Sequence, residues 1–529
     1  METNTETPFD PLVTDQELIR QLIEDNRKKN LTIEYLQERI DLLLAQLYGK
    51  KSEKQPFELV GQISYLEDPP EEPVINPEFE EISVPAHKRK KSGRKPLPEE
   101  LPRVEVIHDL SDVQKQCACG SIMTRIGEEV SEQLDYVPAK LQVIRHIRPK
   151  YACKTCEGVE SNGPTINIAP APKQFIEKSI ATARLLAHIF IAKFVDALPY
   201  YRQEKQFGRL GYELSRTNMV NWTIQAGIRL ARLLELLRHE LLSGPLIHMD
   251  ETTIQVLKEK DRSPHSKSYM WVLRGGASDR PGVLFHYSPS RASGVAQDLL
   301  RTYKGMVQSD GYTGYDFLDT SQEIWHACCW AHSRRKFTEV LKAKGKYQTK
   351  KAKTGHAEQA LGFIRQLYAI EREANEDKLS DSERVVRRQE RSQPVLEQLH
   401  RWLQQLSPKT PPKGLLGKAI NYTLERWKQL TLFVEYGFLP LDNNLAENAI
   451  RPFVVGRKNW LFCDTVEGAK ASAALYSLIE TARANGLNPY EYLKMLFEKF
   501  PLAETDEELK ALLPQYQVGT SPGEKQGAV

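Results

Sequence analysis

The first 50 residues contain a hydrophobic repeat whose steps alternate between four and three residues. The repeat positions are Ile19, Leu22, Asn26, Lys29, Ile33, Leu36, Ile40, Leu43 and Leu47. An isoleucine-rich track that carries one asparagine, beside a leucine-rich track, favours a parallel two-stranded coiled coil. Residues 1–52 are therefore predicted to form a dimerisation helix, and an amphipathic helix packed on its own chain is the alternative.

Helical periodicity returns in residues 166–243, where LPYYRQEKQFGRLGYELSRTNMVNW is typical of a helix, a turn and a second helix. Ser215 is the predicted N-cap of the second helix. That helix would bury Met219, Val220 and Trp222 and turn its polar side to DNA, as a helix-turn-helix does. The polar residues on that side are Arg216, Asn218 and Asn221. A helical hairpin that only packs within the chain is the alternative.

Beyond Gly244 the pattern changes to strands. PLIHMDETTIQVL, SKSYMWVLRGG and PGVLFHYSP predict three antiparallel strands, followed by a helix, a strand at GMVQS, a helix and a strand at EIWHACCW. This is the order of an RNase H-like α/β core, in which the first strand is central and the fourth lies beside it. Residues 337–435 are charged and helical, which predicts an all-helical insertion because a structureless loop of that length is uncommon.

Two carboxylates belong to neighbouring strands of this predicted core. Asp250 ends the apolar run of the first strand and Asp310 ends the fourth, while Glu447 lies on a later helix. Three such acids can hold two Mg²⁺ (or Mn²⁺) ions for phosphoryl transfer. Of the competing acids, Glu251 would point to the opposite face of its strand, and Asp442 would begin the later helix.

Four of the seven cysteines form two close pairs, CACG and CKTC, around a strand-like stretch. Cys117, Cys119, Cys153 and Cys156 predict a structural Zn²⁺ ribbon within residues 101–165, although the first pair is closer than usual. A redox pair and unliganded thiols are the alternatives. The odd cysteine count and the polar, acidic start predict a cytoplasmic protein, and no apolar stretch reaches the length of a membrane span.

Positive charges are concentrated in two runs, although the formal net charge is only +3. Six cations lie between Lys88 and Lys95, after an acidic and proline-rich linker, and nine lie between His332 and Lys353. Such runs can contact phosphates, or they can be solvated faces. The predicted DNA contacts of the two runs and the Glu447 helix are Lys88, Arg89, Lys90, Lys91, Arg94, Lys95, Arg334, Arg335, Lys336, Arg451, Arg457 and Lys458.

HMDETTIQVL, SDGYTGYD, CWAHSRRKF, LDNNLAENAIRPFVVGRKNWLF and SLIETARANGLNPYEYL closely resemble the insertion-sequence 66 family of bacterial DDE transposases. The coiled-coil start, the GRKPLP arm, the paired cysteines and LPYYRQEKQFGRLG extend the resemblance over nearly the whole chain. It implies an enzyme that binds terminal inverted repeats, hydrolyses the 3′ ends and joins them to target DNA. It also implies that Asp250, Asp310 and Glu447 are the metal-binding triad, that Cys329 and His332 lie near the site, and that small accessory proteins take part.

The expected architecture is multidomain α+β: an N-terminal coiled coil, a small zinc ribbon, a helix-turn-helix-like domain, and an RNase H-like core interrupted by an all-helical insertion. The expected segments are 1–52, 53–100, 101–165, 166–243, 244–336, 337–435, 436–499 and a tail at 500–529. The expected partners are double-stranded DNA and a second copy of the chain, with no membrane, in the nucleoid of a bacterial cytoplasm. Two other functions remain open: a dimeric zinc-containing DNA-binding regulator with an inactive core, and a simple RNase H-like nuclease.

Overall fold

The computed structural model describes residues 15–48, 105, 140–152, 166–344 and 355–517. The chain forms two compact units, one from Pro69–Ile168 and the other from Met1–Asp68 with Ala169–Val529. In the smaller unit the described residues include two antiparallel strands, Lys150–Ala152 (β1) and Ile166–Ile168 (β2). The basic arm between Lys88 and Lys95 and the four predicted zinc ligands lie outside the described residues.

The predicted N-terminal helix is confirmed as one helix, Asp15–Tyr48 (α1). Apolar side chains of its heptad remain exposed in the single chain, among them Ile33 at 59% and Leu36 at 53%. Leu31 and Tyr35, which lie off the heptad tracks, are partly buried. The exposed heptad face therefore has the composition that a partner helix covers in a coiled coil.

Four helices follow the smaller unit: Ala183–Phe194 (α2), Tyr200–Arg209 (α3), Arg216–Arg229 (α4) and Ala231–Leu242 (α5). Ser215 caps α4 as predicted, because its hydroxyl accepts the backbone N–H of Asn218 at 3.3 Å. Met219 and Trp222 are buried, but the prediction for Val220 is wrong, since this side chain is 38% exposed. Val220 lies one helical position off the stripe through Met219 and Trp222 that packs inward. The polar residues Arg216, Asn218 and Asn221 are exposed.

A six-stranded sheet follows, built from Leu246–Lys258 (β3), Lys267–Ala277 (β4), Arg280–Ser288 (β5), Gly305–Ser309 (β6), Ile324–Cys328 (β7) and Cys463–Thr465 (β8). Strands β3, β4 and β5 are antiparallel, whereas β6, β7 and β8 extend the sheet in parallel pairs. The order β5-β4-β3-β6-β7 places the first strand centrally and the fourth beside it, as predicted. Helix Ser293–Leu299 (α6) leads to β6, and a 3₁₀ helix, Thr313–Thr320, leads to β7.

The described part of the predicted insertion is helical. Its helices, with the basic helix that precedes them, are Trp330–Lys344 (α7), His356–Glu376 (α8), Asp381–Arg387 (α9), Gln393–Leu406 (α10), Leu415–Glu425 (α11) and Trp427–Thr431 (α12). Leu367 and Leu403 of these helices share one apolar core with Met306 of β6 and Ala327 of β7. The insertion therefore packs directly on the parallel side of the sheet.

The chain ends in helices Asn444–Trp460 (α13), Val466–Ala484 (α14), Pro489–Lys499 (α15) and Asp506–Ala511 (α16). Helix α14 covers the edge strand β5, and the hydroxyls of Thr481 and Ser477 accept the backbone N–H groups of Val283 at 3.0 Å and Phe285 at 2.8 Å. These hydrogen bonds satisfy backbone N–H groups that would otherwise be unpaired on an edge strand. Leu513 is fully buried, so the fold continues beyond residue 500. Within the described ranges, every helix is too short or too polar to cross a membrane.

Candidate active site

Asp250 lies on β3, and Asp310 directly follows the adjacent parallel strand β6. The last register pair of the two strands is His248 with Gln308, and each acid lies two residues beyond it. Asp250 is only 4% exposed, and its Oδ1 accepts the backbone N–H of Glu251 at 2.8 Å. Burial, and then the nearby carboxylates of Glu251, Asp310 and Glu447, raise the pKa of Asp250 well above its usual value. These acids are therefore close enough to repel one another when ionised.

Asp310 occupies a tight turn after β6. Its Oδ1 accepts the backbone N–H of Tyr312 at 2.9 Å, and Gly311 provides the positive φ of 76° that the turn requires. From the insertion, the hydroxyl of Tyr422 donates to the backbone oxygen of Asp310 at 2.6 Å. The second acid is consequently held by its own turn and by a helix more than a hundred residues later in the chain.

Glu447 lies in the first turns of α13, and its side chain is only 8% exposed. The start of this helix is fixed beside Asp250, because the Asn443 side chain donates to the backbone oxygen of Met249 at 2.9 Å and bonds His248 Nδ1 at 3.0 Å. Asp442 Oδ1 accepts the N–H of Asn444 at 3.3 Å, so it acts at the predicted helix start. Burial raises the pKa of Glu447 above its usual value.

Glu251 is also buried, and burial and then the nearby carboxylate of Asp310 raise its pKa above the usual value. The Tyr315 hydroxyl donates to Glu251 Oε2 at 2.5 Å, and Arg291 forms an ion pair with the same carboxylate. The Arg291 guanidinium also lies 3.8 Å from Asp310 Oδ2 and 3.6 Å from the centre of the Tyr312 ring. Sequence reasoning missed Arg291, which stands alone in the loop after β5 without a local motif.

Cys329 and His332 reach the site from the start of α7. Single donor atoms of Cys329, His332 and Glu447 lie within 4.8 Å of one another. His332 Nδ1 is 3.7 Å from Glu447 Oε1, and burial lowers the pKa of His332 to about 4. The two residues that the family resemblance placed near the site are therefore in it.

Of the three predicted DNA-contacting cations of α7, one contacts Glu447 and two lie against tyrosine rings of the insertion. Arg335 is an ion-pair partner of Glu447, with 3.4 Å between Nη2 and Oε2. Arg334 lies 5.9 Å from the centre of the Tyr368 ring, and Lys336 lies over the Tyr422 ring.

The three predicted cations of α13 differ in exposure. The Arg457 guanidinium donates to the hydroxyls of Thr252 at 3.0 Å and Thr253 at 3.2 Å, so it connects α13 to β3. Burial lowers the pKa of Arg457. Lys458 is exposed, and Arg451 is half-buried.

A hydrogen-bonded chain that sequence reasoning missed lies beneath the Asp310 turn. Asp319 Oδ1 is 2.8 Å from His326 Nδ1, and His326 Nε2 is 2.9 Å from the Ser309 hydroxyl. The Ser309 oxygen accepts the backbone N–H of Gly311 at 3.3 Å. Because Ser309 is fully buried, the chain supports the turn rather than presenting a nucleophile.

Four family descriptions match consecutive parts of the chain. "Transposase IS66 family" covers residues 178–471 and thus includes all three acids. "Zinc-finger binding domain of transposase IS66" covers residues 114–157, which include the four paired cysteines. "IS66 C-terminal element" covers residues 477–515, and "Transposase C of IS166 homeodomain" covers residues 35–106.

Two similar proteins come from Sinorhizobium fredii (strain NBRC 101917 / NGR234). Uncharacterized protein y4jD is 35% identical over 433 residues, which are 79% of this chain and 81% of the relative. Uncharacterized protein y4hP is 30% identical over 424 residues, which are 78% of this chain and 74% of the relative. The similarity therefore extends over most of both chains.

Proposed function

Because the chain belongs to the transposase IS66 family, it is a transposase of an insertion element, and we propose that it cleaves the 3′ ends of its element and joins them to target DNA. The catalytic residues of this proposal are Asp250, Asp310 and Glu447. The observation that carries it is the convergence of three carboxylates from a central strand, a neighbouring turn and a helix, close enough to raise the pKa of Asp250. Perturbed acids of this kind concentrate at functional sites.

We assign the catalytic part to an RNase H-like core. The antiparallel strands β3, β4 and β5, followed by β6 and β7 parallel to β3, support this assignment. In this arrangement the first acid lies on the central strand, the second directly follows the neighbouring strand, and the third comes from a helix packed against the central strand.

The donor set fits divalent cations such as Mg²⁺ or Mn²⁺. Carboxylate oxygens are their preferred protein ligands, and buried acids that repel one another gain from a cation between them. Asp250, Asp310 and Glu447 would hold these ions, which when bound supply a polarised water and neutralise charge on the leaving oxygen. Tyr422 and Asn443 keep two of the acids in place through the hydrogen bonds described above.

The reaction proceeds in two balanced displacements. Water attacks the phosphodiester at the end of the element, the bond to the element's 3′ oxygen breaks, and that oxygen leaves as a free 3′ hydroxyl. The 3′ hydroxyl then attacks a target phosphodiester, and one phosphodiester bond forms for each one that breaks. A serine or tyrosine nucleophile is therefore unnecessary.

DNA would be held by cations and by α4. The exposed polar residues of α4 and the exposed Lys458 support this assignment, together with Arg335 beside Glu447 and its α7 neighbours Arg334 and Lys336. The basic arm between Lys88 and Lys95 completes the proposed DNA interface. The zinc-finger match supports structural Zn²⁺ held by Cys117, Cys119, Cys153 and Cys156.

We also propose that two chains associate through α1, which presents its heptad face to solvent. Replacing Ile33 and Leu36 by Asp should convert the dimer to a monomer in light scattering. Each chain would then place two carboxylates in the apolar seam between the helices. Glu34→Lys, at an exposed position between them, is the control and should remain dimeric. A dimer that persists in the double variant would contradict pairing through this face. The small accessory proteins that the resemblance implies would join this assembly in the bacterial cytoplasm.

The deciding experiment follows nicking and joining of a DNA duplex that carries the element's ends, with Mg²⁺ or Mn²⁺. Asp250→Asn, Asp310→Asn and Glu447→Gln should each reduce cleavage to the uncatalysed background while binding of the ends persists. Asp442→Asn is the matched control, because this acid starts the same helix but bonds Asn444. Cleavage that survives in a triad variant would contradict the assignment. If the unaltered protein binds the element's ends but does not cleave them with metal, it is instead a DNA-binding regulator with an inactive core.

A further inference from the structure

We propose that Cys329, His332 and Glu447 form a binding site for one zinc-class transition-metal ion. This site is chemically different from the Asp250–Asp310 carboxylates, with which it shares only Glu447. The inference goes beyond the proposed cleavage reaction and does not depend on it, because it concerns which ion these three side chains bind.

The spacing of the three donors suits one ion. A sulfur, an imidazole nitrogen and a carboxylate oxygen lie within 4.8 Å of one another. His332 Nδ1 and Glu447 Oε1 are 3.7 Å apart. Ligands of a tetrahedral zinc, with bonds of about 2.0–2.3 Å, are separated by roughly 3.3–3.7 Å. A small rotation of side chains is enough to close the difference.

Two of the donor atoms are buried and face each other without a hydrogen bond. His332 Nδ1 and Glu447 Oε1 both have negligible solvent exposure and no hydrogen-bond partner within the described residues. Buried polar atoms of native proteins are nearly always satisfied, so such a pair calls for a further partner. A cation between the nitrogen and the oxygen satisfies both atoms at once.

The third donor, Cys329, has its thiol pKa raised above the usual value by burial and then by Glu447, so its thiolate needs a bound cation. It is fully buried and precedes the first residue of α7, a 15-residue helix whose amino end favours negative charge. Its sulfur already accepts the backbone N–H of Asn443 at 3.1 Å. Metal binding replaces the thiol proton, and a divalent ion then balances the charges of the thiolate and of Glu447.

The donor types determine the class of ion. Thiolate and imidazole select zinc and similar transition metals, whereas Mg²⁺ prefers oxygen ligands. Three protein donors leave a fourth position open, as zinc sites with a bound water do. Such an ion would hold Glu447 Oε1, while Oε2 remains on the side of Arg335.

The test measures zinc per chain in the full-length protein after dialysis against metal-free buffer. Cys329→Ser and His332→Gln should each remove one zinc equivalent per chain. The matched controls are Cys328→Ser and His326→Gln, which replace buried residues of the same types outside the cluster. They should retain the zinc content of the unaltered protein. Equal zinc content in all four variants would overturn the inference.

A second measurement separates this ion from that of the predicted ribbon and applies if a variant misfolds. A full-length chain in which all four predicted ribbon ligands are replaced (Cys117→Ser, Cys119→Ser, Cys153→Ser and Cys156→Ser), but in which Cys329 is intact, is titrated with Co²⁺. Thiolate-to-cobalt charge-transfer absorption at one equivalent supports the site, and its absence overturns it. Neither readout involves DNA cleavage, so a failed metal site leaves the proposed transposase chemistry standing, and the reverse also holds.

Discussion

The hydroxyl of Tyr422 connects the helical insertion to the turn that carries Asp310. It donates a hydrogen bond of 2.6 Å to the backbone oxygen of Asp310. Tyr422→Phe removes this bond and keeps the ring, which lies under the Lys336 ammonium at 4.6 Å from the ring centre. The variant therefore isolates one contact between the insertion and the proposed catalytic turn.

The size of the effect follows from the loss of one neutral hydrogen bond. Such a bond contributes about 0.5–1.5 kcal/mol to the free energy of unfolding. If the same energy is lost when Asp310 must be held for cleavage, the rate falls roughly 2- to 12-fold. A larger fall, approaching 10²-fold, would mean that the acid has moved by about 1 Å.

Tyr303→Phe is the matched control for this experiment. Its hydroxyl donates to the backbone oxygen of Met306 at 3.0 Å, so the control removes the same kind of bond at the other end of β6. Urea unfolding should show similar losses of free energy for both variants. Cleavage of element-end DNA should slow only in Tyr422→Phe. Equal slowing in both variants, or an unchanged rate in Tyr422→Phe, would refute a positioning role for the insertion.

Three further predictions concern buried charge and DNA contact. Arg388→Met should lower the free energy of unfolding by about 3 kcal/mol in urea. It removes the guanidinium that bonds the Glu371 carboxylate at 2.7 and 2.6 Å and leaves the longer 3.3 Å contact of Arg384. A loss below about 1 kcal/mol would contradict this. Burial raises the pKa of Glu480 from 4.5 to about 7, so the folded state binds the proton more tightly and loses stability as pH rises through that window. Glu480→Gln should therefore gain about 3 kcal/mol relative to the unaltered chain between those pH values, and a difference that is flat with pH would exclude the mechanism. Lys458→Ala should reduce the slope of log K against log salt for DNA binding by about 0.9, and an unchanged slope would remove Lys458 from the DNA interface.

Local structure was largely predictable from the chain. The heptad in α1, the Ser215 cap and the strand that carries Asp250 each follow from a pattern within one element. Val220 shows where this reasoning fails. Met219 and Trp222 on the same helix are buried, but Val220 lies beside the stripe that packs inward. The exact direction of that stripe depends on packing against other helices.

The candidate site was predictable only in part. The strand order was sufficient to bring Asp250 beside Asp310, because the pairing of parallel strands is a topological consequence. Arg291 and Tyr422 were not predictable, since neither belongs to a periodic pattern near the acids that it contacts.

By itself, the sequence determined the helices and strands and the acids available for metal binding, because hydrophobic periodicity and capping act over a few residues. Only the tertiary structure decided which polar groups meet. In the folded chain Glu447 pairs with Arg335 of α7 rather than with a cation of its own helix α13. Cys329 and His332 lie close to the same carboxylate. The reason is physical: burial makes such contacts strong and selective, and burial is set by packing between elements far apart in the chain.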